Sequence, residues 1–211
     1  MSNKKKPILG PSGRQAAYTA RNRAALIVAA QEVLAEIGLN ATIEDLVDKA
    51  QVSPNTIYNY FESKEQLFKV AIDEIWHDWV VWAYDSAQLG ESFQAMITVC
   101  RELFRVQETH PLFSRVLRNT LDNPAFVIQA VQGRSTQNLK KVMPRGDLSS
   151  ESFDQRVLLW SYALAGILHG VHVNETLSPS QADDALEISL AIWGLSAAKA
   201  KKLVSAPLPK Q

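Results

Sequence analysis

Residues 42–67 read TIEDLVDKAQVSPNTIYNYFESKEQL, and the helix caps within them decide the fold. Thr42 is a cap residue with Glu44 and Asp45 just behind it, so acidic groups sit at the positive end of a helix and Asp45 can close a capping box. Leu46, Val47 and Ala50 then fall on one face. This helix must stop near Gln51, because Ser53 caps a new one and Pro54 stands at its first position, where a missing N–H costs nothing. The second helix is short, from Pro54 to about Tyr60. Ser63 caps a third, with Gln66 placed for another capping box. Three caps so close together leave no room for a strand. Two helices joined by a three- to four-residue turn form the helix-turn-helix arrangement, whose second helix enters the DNA major groove.

The side chains of the second helix suit that role. Ile57 and Phe61 point to the core, which leaves Asn55, Thr56, Tyr58, Asn59 and Tyr60 outside, polar and uncharged, within reach of base edges or phosphates. Thr42, Ser53 and Pro54, at the starts of the two helices, belong to the same candidate DNA surface. Lys64 lies in the first turn of the third helix, where the helix dipole disfavours a cation; a neighbouring phosphate would account for it. The bland alternative is a helical hairpin that happens to carry polar residues outside.

The run from Ala25 to Leu67 resembles the DNA-binding domain of the TetR/AcrR family of transcriptional regulators. An apolar helix ending in Gly is matched by Leu26, Ile27, Ala29, Ala30, Leu34 and Gly38. Thr42 then opens a helix with Ile43, Leu46 and Ala50 on its apolar face. Val52 and Ser53, the Thr-x-Tyr-x-x-Phe of Thr56, Tyr58 and Phe61, and the Ser-Lys-Glu-x-Leu of Ser63 to Leu67 complete the pattern. One position departs from it: the family usually has Gly in the turn, and this chain has Gln51, which tolerates a positive φ less well. The resemblance implies an all-α protein of about nine helices, with a carboxy-terminal ligand-binding and dimerisation domain. It implies a homodimeric repressor bound to a palindromic double-stranded DNA operator and released by a small molecule.

Composition frames this reading. The chain has 211 residues, 22 Lys and Arg against 22 Asp and Glu, so no net field steers it to nucleic acid. The distribution is uneven, however. Residues 1–31 carry Lys4, Lys5, Lys6, Arg14, Arg21 and Arg23 and no acidic residue. Such an arm ahead of a helix-turn-helix can reach the minor groove or the backbone. Pro7, Gly10, Pro11 and Gly13 mark most of it as disordered, and no apolar stretch follows the lysines to make a signal peptide. A single cysteine, Cys100, fits a reducing cytoplasm. Residues 157–174 contain no formal charge, but two histidines, two glycines and flanking Arg156 and Glu175 favour a buried helix over a membrane span.

The remainder reads as helices. The one opening at Ser63 runs to about Ala87, with Phe68, Ala71, Ile72, Ile75, Trp79 and Trp82 as its apolar stripe. Helices follow over about Ser92–Thr109, Pro111–Leu121, Asn123–Val142, Ser150–Leu177 and Ser178–Val204. The expected division is a disordered arm at 1–19, the DNA-binding domain at 20–66, the ligand and dimer domain at 67–204 and a disordered tail at 205–211. Small residues mark one face of each of the last two helices: Ala163, Gly166 and Gly170, then Ala191, Gly194 and Ala198. The family resemblance makes these a dimer interface. Trp79, Trp82, Phe104, Phe113 and Trp160, with His110, Arg118 and Asn119 as polar partners, are the candidates for a ligand pocket; a plain aromatic core is the competing reading. His169, His172 and Glu175 recur every three residues, but that spacing drifts around the helix and makes a poor metal site. No metal or cofactor is expected. No nucleophile–base pair or phosphate-binding Gly loop suggests an enzyme, and a protein-interaction module without DNA binding is the other alternative.

Overall fold

The computed structural model describes residues 11–90, 92–121, 136, 139–143 and 148–209. All regular structure among them is helical. The amino-terminal unit comprises α1 (Pro11–Glu36), α2 (Ile43–Ala50) and α3 (Pro54–Tyr58), and α4 (Lys64–Ala87) leads out of it. Then come α5 (Phe93–Leu103), α6 (Val106–Thr109), α7 (Pro111–Leu121), α8 (Phe153–His172), α9 (Pro179–Ser189), a 3-10 turn (Leu190–Trp193) and α10 (Ala197–Val204). The expected boundary at residues 66 and 67 falls inside the first turn of α4, so the two units share a helix. The helix expected over Asn123–Val142 and the loop at Pro144–Gly146 lie mostly outside the described residues.

The cores of the two units are continuous through α4 and α7. On α4, Leu67, Phe68, Ala71, Ile72, Trp76, Trp79 and Ala83 are buried, a run of three- and four-residue steps that keeps one face inward. The stripe differs from the expected one in its middle: Trp76 is buried, while Ile75 and Trp82 are half-buried. Phe113 of α7 packs edge-on against Trp76 at 4.9 Å and tilted against Trp79 at 5.4 Å. At its far end α7 meets the end of α1. Asn119 Nδ2 donates to the carbonyls of Leu34 at 3.1 Å and Ala35 at 2.9 Å, satisfying groups that a helix leaves without partners. The chain can pass so close only because residue 38 is glycine. Its φ is 84°, and an added Cβ would lie 3.1 Å from the Asn119 carbonyl oxygen.

Five expectations are corrected. Residues 11–19 are not disordered: α1 begins at Pro11, where a proline fits a first helical turn. The Ser92–Thr109 helix divides near Phe104 and Arg105, and Arg105 turns to make a two-pronged ion pair with Asp183 of α9 at 3.1 and 2.7 Å. The Ser178–Val204 helix also divides. Gly194 adopts φ 77° at the end of the 3-10 turn and Ser196 caps α10, so Ala191, Gly194 and Ala198 share no single helix face. Gly170 is covered by its own chain, since an added Cβ would stand 2.8 Å from Leu177 Cδ1. The tail is ordered through Pro209. Arg101 donates to the Ala206 carbonyl and Gln94 to that of Leu203, while Pro207, Leu208 and Pro209 line a groove with the end of α4.

Candidate nucleic-acid interface

The helix-turn-helix is built by short-range caps. The Thr42 side chain accepts from Asp45 N at 3.2 Å, and the Asp45 carboxylate accepts from Thr42 N at 2.7 Å and from Thr42 Oγ1 at 2.9 Å. The backbone N–H of Thr42, followed by its hydroxyl, holds the Asp45 carboxyl below its ordinary range. Gln51 ends α2 in the left-handed region, φ 53° and ψ 46°, with its N–H on Val47 O. The turn therefore keeps the geometry that glycine would serve with less strain. Ser53 caps α3 through Thr56 N at 3.3 Å and also bonds the Thr56 hydroxyl at 2.9 Å. Ser63 caps α4 through Gln66 N at 3.2 Å, while Gln66 Oε1 accepts from Glu62 N. Ile57 and Phe61 fix α3 to the body, both fully buried.

This anchoring turns the other side of α3 outward. Ser53, Pro54, Asn55, Tyr58 and Asn59 are exposed, so the structure gathers them on one surface. The hydroxyls of Thr42, Ser53 and Thr56 are engaged in the cap hydrogen bonds. Tyr60 is half-buried, and its hydroxyl accepts from Asn22 Nδ2 of α1 at 3.2 Å. Lys64, expected to face a phosphate, also has partners within the protein. Its ammonium donates to Ala41 O at 2.7 Å, lies over the Phe68 ring at 5.5 Å and stands 3.7 Å from Glu65. The lysine thus ties the start of α4 to the loop before α2, which answers the helix-dipole conflict without a phosphate.

The residues proposed for a pocket separate into two environments. Trp79, Phe104, Phe113 and Trp160 are in the packed interior. Trp82 and His110 stack edge-on at 4.4 Å, burial pushing the His110 imidazole down, and Arg118 reaches outward to Glu175 at 3.5 Å. A separate groove of about 380 Å³ runs beside the second half of α4, lined by Val80, Val81, Tyr84, Asp85, Ser92, Lys141 and Val142 among others. Sequence reading missed it because its walls come from segments remote in the chain. His169, His172 and Glu175 are not assembled for a metal: His172 is buried with Nε2 on Leu103 O at 3.0 Å. Among the described residues no group of three His, Cys, Asp or Glu side chains is placed to hold one. Burial pushes the Cys100 thiol up to about 12, which makes it a poor nucleophile. No helix among the described residues is long and apolar enough to cross a membrane.

A short helix with an exposed polar face, capped at its start and followed by a long helical body, is the arrangement of a helix-turn-helix DNA-binding domain. Residues 26–71 match the family described as bacterial regulatory proteins, tetR family. No curated protein matches the chain. Solved structures similar in fold include RolR in complex with resorcinol, 21% identical over 92% of this chain and 98% of that one, with a TM-score of 0.68. SmeT, the repressor of the Stenotrophomonas maltophilia multidrug efflux pump SmeDEF, is 17% identical over 89% and 97%, with a TM-score of 0.61. A gamma-butyrolactone receptor described as ArpA-like is 17% identical over 89% and 98%, with a TM-score of 0.53.

Proposed function

We propose that the chain is a cytoplasmic homodimeric repressor that binds a palindromic operator and leaves it when a small molecule occupies the carboxy-terminal helices. The observation that carries this reading is the double engagement of α7. One end touches the aromatic cluster of Trp76 and Trp79 through Phe113, and the other holds the end of α1 through Asn119. A ligand that displaces Phe113 therefore acts on the helix that supports the helix-turn-helix. Among the described residues Trp79 Nε1 is buried without a hydrogen-bond partner, which favours an aromatic or apolar effector with an oxygen acceptor. The resorcinol bound by RolR is of that class.

Asn55 is the residue assigned to a base edge, since asparagine can pair bidentately with adenine. Tyr58 and Asn59 flank it, and Ser53, Pro54, Thr42, Thr56 and Tyr60 shape the surface, with Lys64 in a supporting position. The dimer surface centres on α8, where Leu158, Leu159 and Tyr162 are exposed beside half-buried Ala163 and exposed Gly166, and extends to Ile188 of α9, 76% exposed. Apolar side chains so exposed on adjoining helices are what a second copy would cover. The test begins with selection of bound sequences from random duplexes, together with mass measurement in solution. A half-site repeated with two-fold symmetry and a dimer mass are expected. An asymmetric site read by a monomer would sink the proposal. A small aromatic phenol that binds the protein should bind more weakly in the presence of operator, and by linkage weaken operator binding equally.

A further inference from the structure

The first half of α1 is unlike the rest of the molecule. From Leu26 to Ala35 the helix buries one face, but residues 14–21 are exposed on every side. This stretch lies outside the packed core and continues outward from a packed stem, where propagation is easier than nucleation. Arg14, Tyr18 and Arg21 fall at steps of four and three, so they share one face of the projection. Tyr18 is 62% exposed, and no acidic residue precedes Glu32. The stem adjoins the DNA-reading helix: Asn22 Nδ2 bonds the Tyr60 hydroxyl at 3.2 Å, and the Arg23 guanidinium lies 5.1 Å from the Phe61 ring centroid.

Resting on the DNA-binding reading above, we infer that residues 11–21 form a second DNA-contacting element, a rigid helix that lies along the phosphate backbone flanking each half-site and holds it through Arg14, Tyr18 and Arg21. Width decides against the minor groove. A helix with side chains is about 10–12 Å across, and that groove is about 6 Å wide. The major groove is wide enough but is taken by α3. Length suits the backbone: ten steps of about 1.5 Å span about 15 Å, against about 3.4 Å of axis per phosphate on a strand. The element therefore adds affinity without reading sequence.

The test uses the full chain and a duplex recovered by selection, in two lengths: the bound core alone, and the core with one helical turn of flanking duplex on each side. Affinity is measured against salt. The wild type should show a steeper salt dependence on the longer duplex. The Arg14→Gln, Arg21→Gln double variant should lose that difference, its log–log slope falling by about two for each protomer bound, at about 0.9 per phosphate contact. Base preferences should stay unchanged, and Arg14→Lys with Arg21→Lys should restore the slope. An unchanged slope in the Gln variant overturns the inference while leaving the helix-turn-helix reading intact. So does a shift in preference at a base pair, which would place the residues in a groove, or a change of oligomeric mass, which would place them against a second copy. Failure of the wild type to bind any duplex overturns both readings.

Discussion

In residues 42–67 each cap is closed by a side chain three positions away: Asp45 by Thr42, Thr56 by Ser53, Gln66 by Ser63. In the carboxy-terminal helices the fastening groups are remote. Arg105 reaches Asp183 across 78 positions, Arg101 reaches Ala206 O across 105, and Gln94 reaches Leu203 O across 109. The first region is specified by neighbours and presents a fixed surface. The second is specified by long-range closure, so a change at one point is passed to distant ones. A receptor for a small molecule needs that second property, and a reader of DNA the first.

The sharpest way to break this comparison is to open an equivalent hole in each region. Ile57 and Leu186 are both fully buried. Changing either to Ala should cost about 2–5 kcal/mol, read as a lower midpoint in denaturant. Ile57→Ala should also abolish operator binding, because Ile57 sets the attitude of α3, whereas the folded fraction of Leu186→Ala should bind normally. Equal operator affinity in the two folded variants would mean that the local unit does not set its own surface.

A smaller effect is expected at the junction. Asn119→Ala leaves the Leu34 and Ala35 carbonyls without their donor, at about 0.5–1.5 kcal/mol for each hydrogen bond. Effector and operator should each still bind alone, but each should weaken the other less than in the wild type. Full coupling in that variant would remove α7 as the connection. Smaller still, Gln51→Gly should raise stability by about 1 kcal/mol by relieving a left-handed non-glycine residue, with no change in operator affinity. A loss of stability would show that the Gln51 side chain contributes something the turn geometry does not.

The last expectation concerns pH. The His172 imidazole is pushed below its ordinary value chiefly by burial; the Leu103 carbonyl opposes this, and the Arg118 charge adds a smaller downward push. The folded state thus prefers the neutral ring. This contribution is fully present above the unfolded value, near 6.5, and is lost as pH falls through that value toward the lowered one in the fold. Melting temperature should decline below about pH 6.5, and His172→Gln, which keeps a donor for Leu103 O, should flatten that part of the curve. An unaltered curve would assign the decline to other groups.

The same division explains what the sequence made legible. Thr42, Ser53 and Ser63 were readable as caps because their partners lie within one turn, and the outward set on α3 followed from Ile57 and Phe61. The bond from Lys64 to Ala41 O was not legible, because the acceptor lies 23 positions back. The breaks at Phe104 and Gly194 carry only weak local signals. They depend on where Asp183, Ser149 and Arg156 arrive, Ser149 N bonding Trp193 O and Arg156 bonding Ile192 O. Pro11 and Gly13 suggested disorder because turn residues and helix-starting residues overlap; proline at a first turn serves either.

The cap that Asn119 places on α1 has a consequence in time. Leu34 and Ala35 leave the ribosome 85 and 84 residues before the side chain that completes their helix end. At about 5–20 residues per second, that interval is about 4–17 seconds. Throughout it the last turn of α1 must be held without that side chain, so the DNA-binding unit is finished only when α7 has been made.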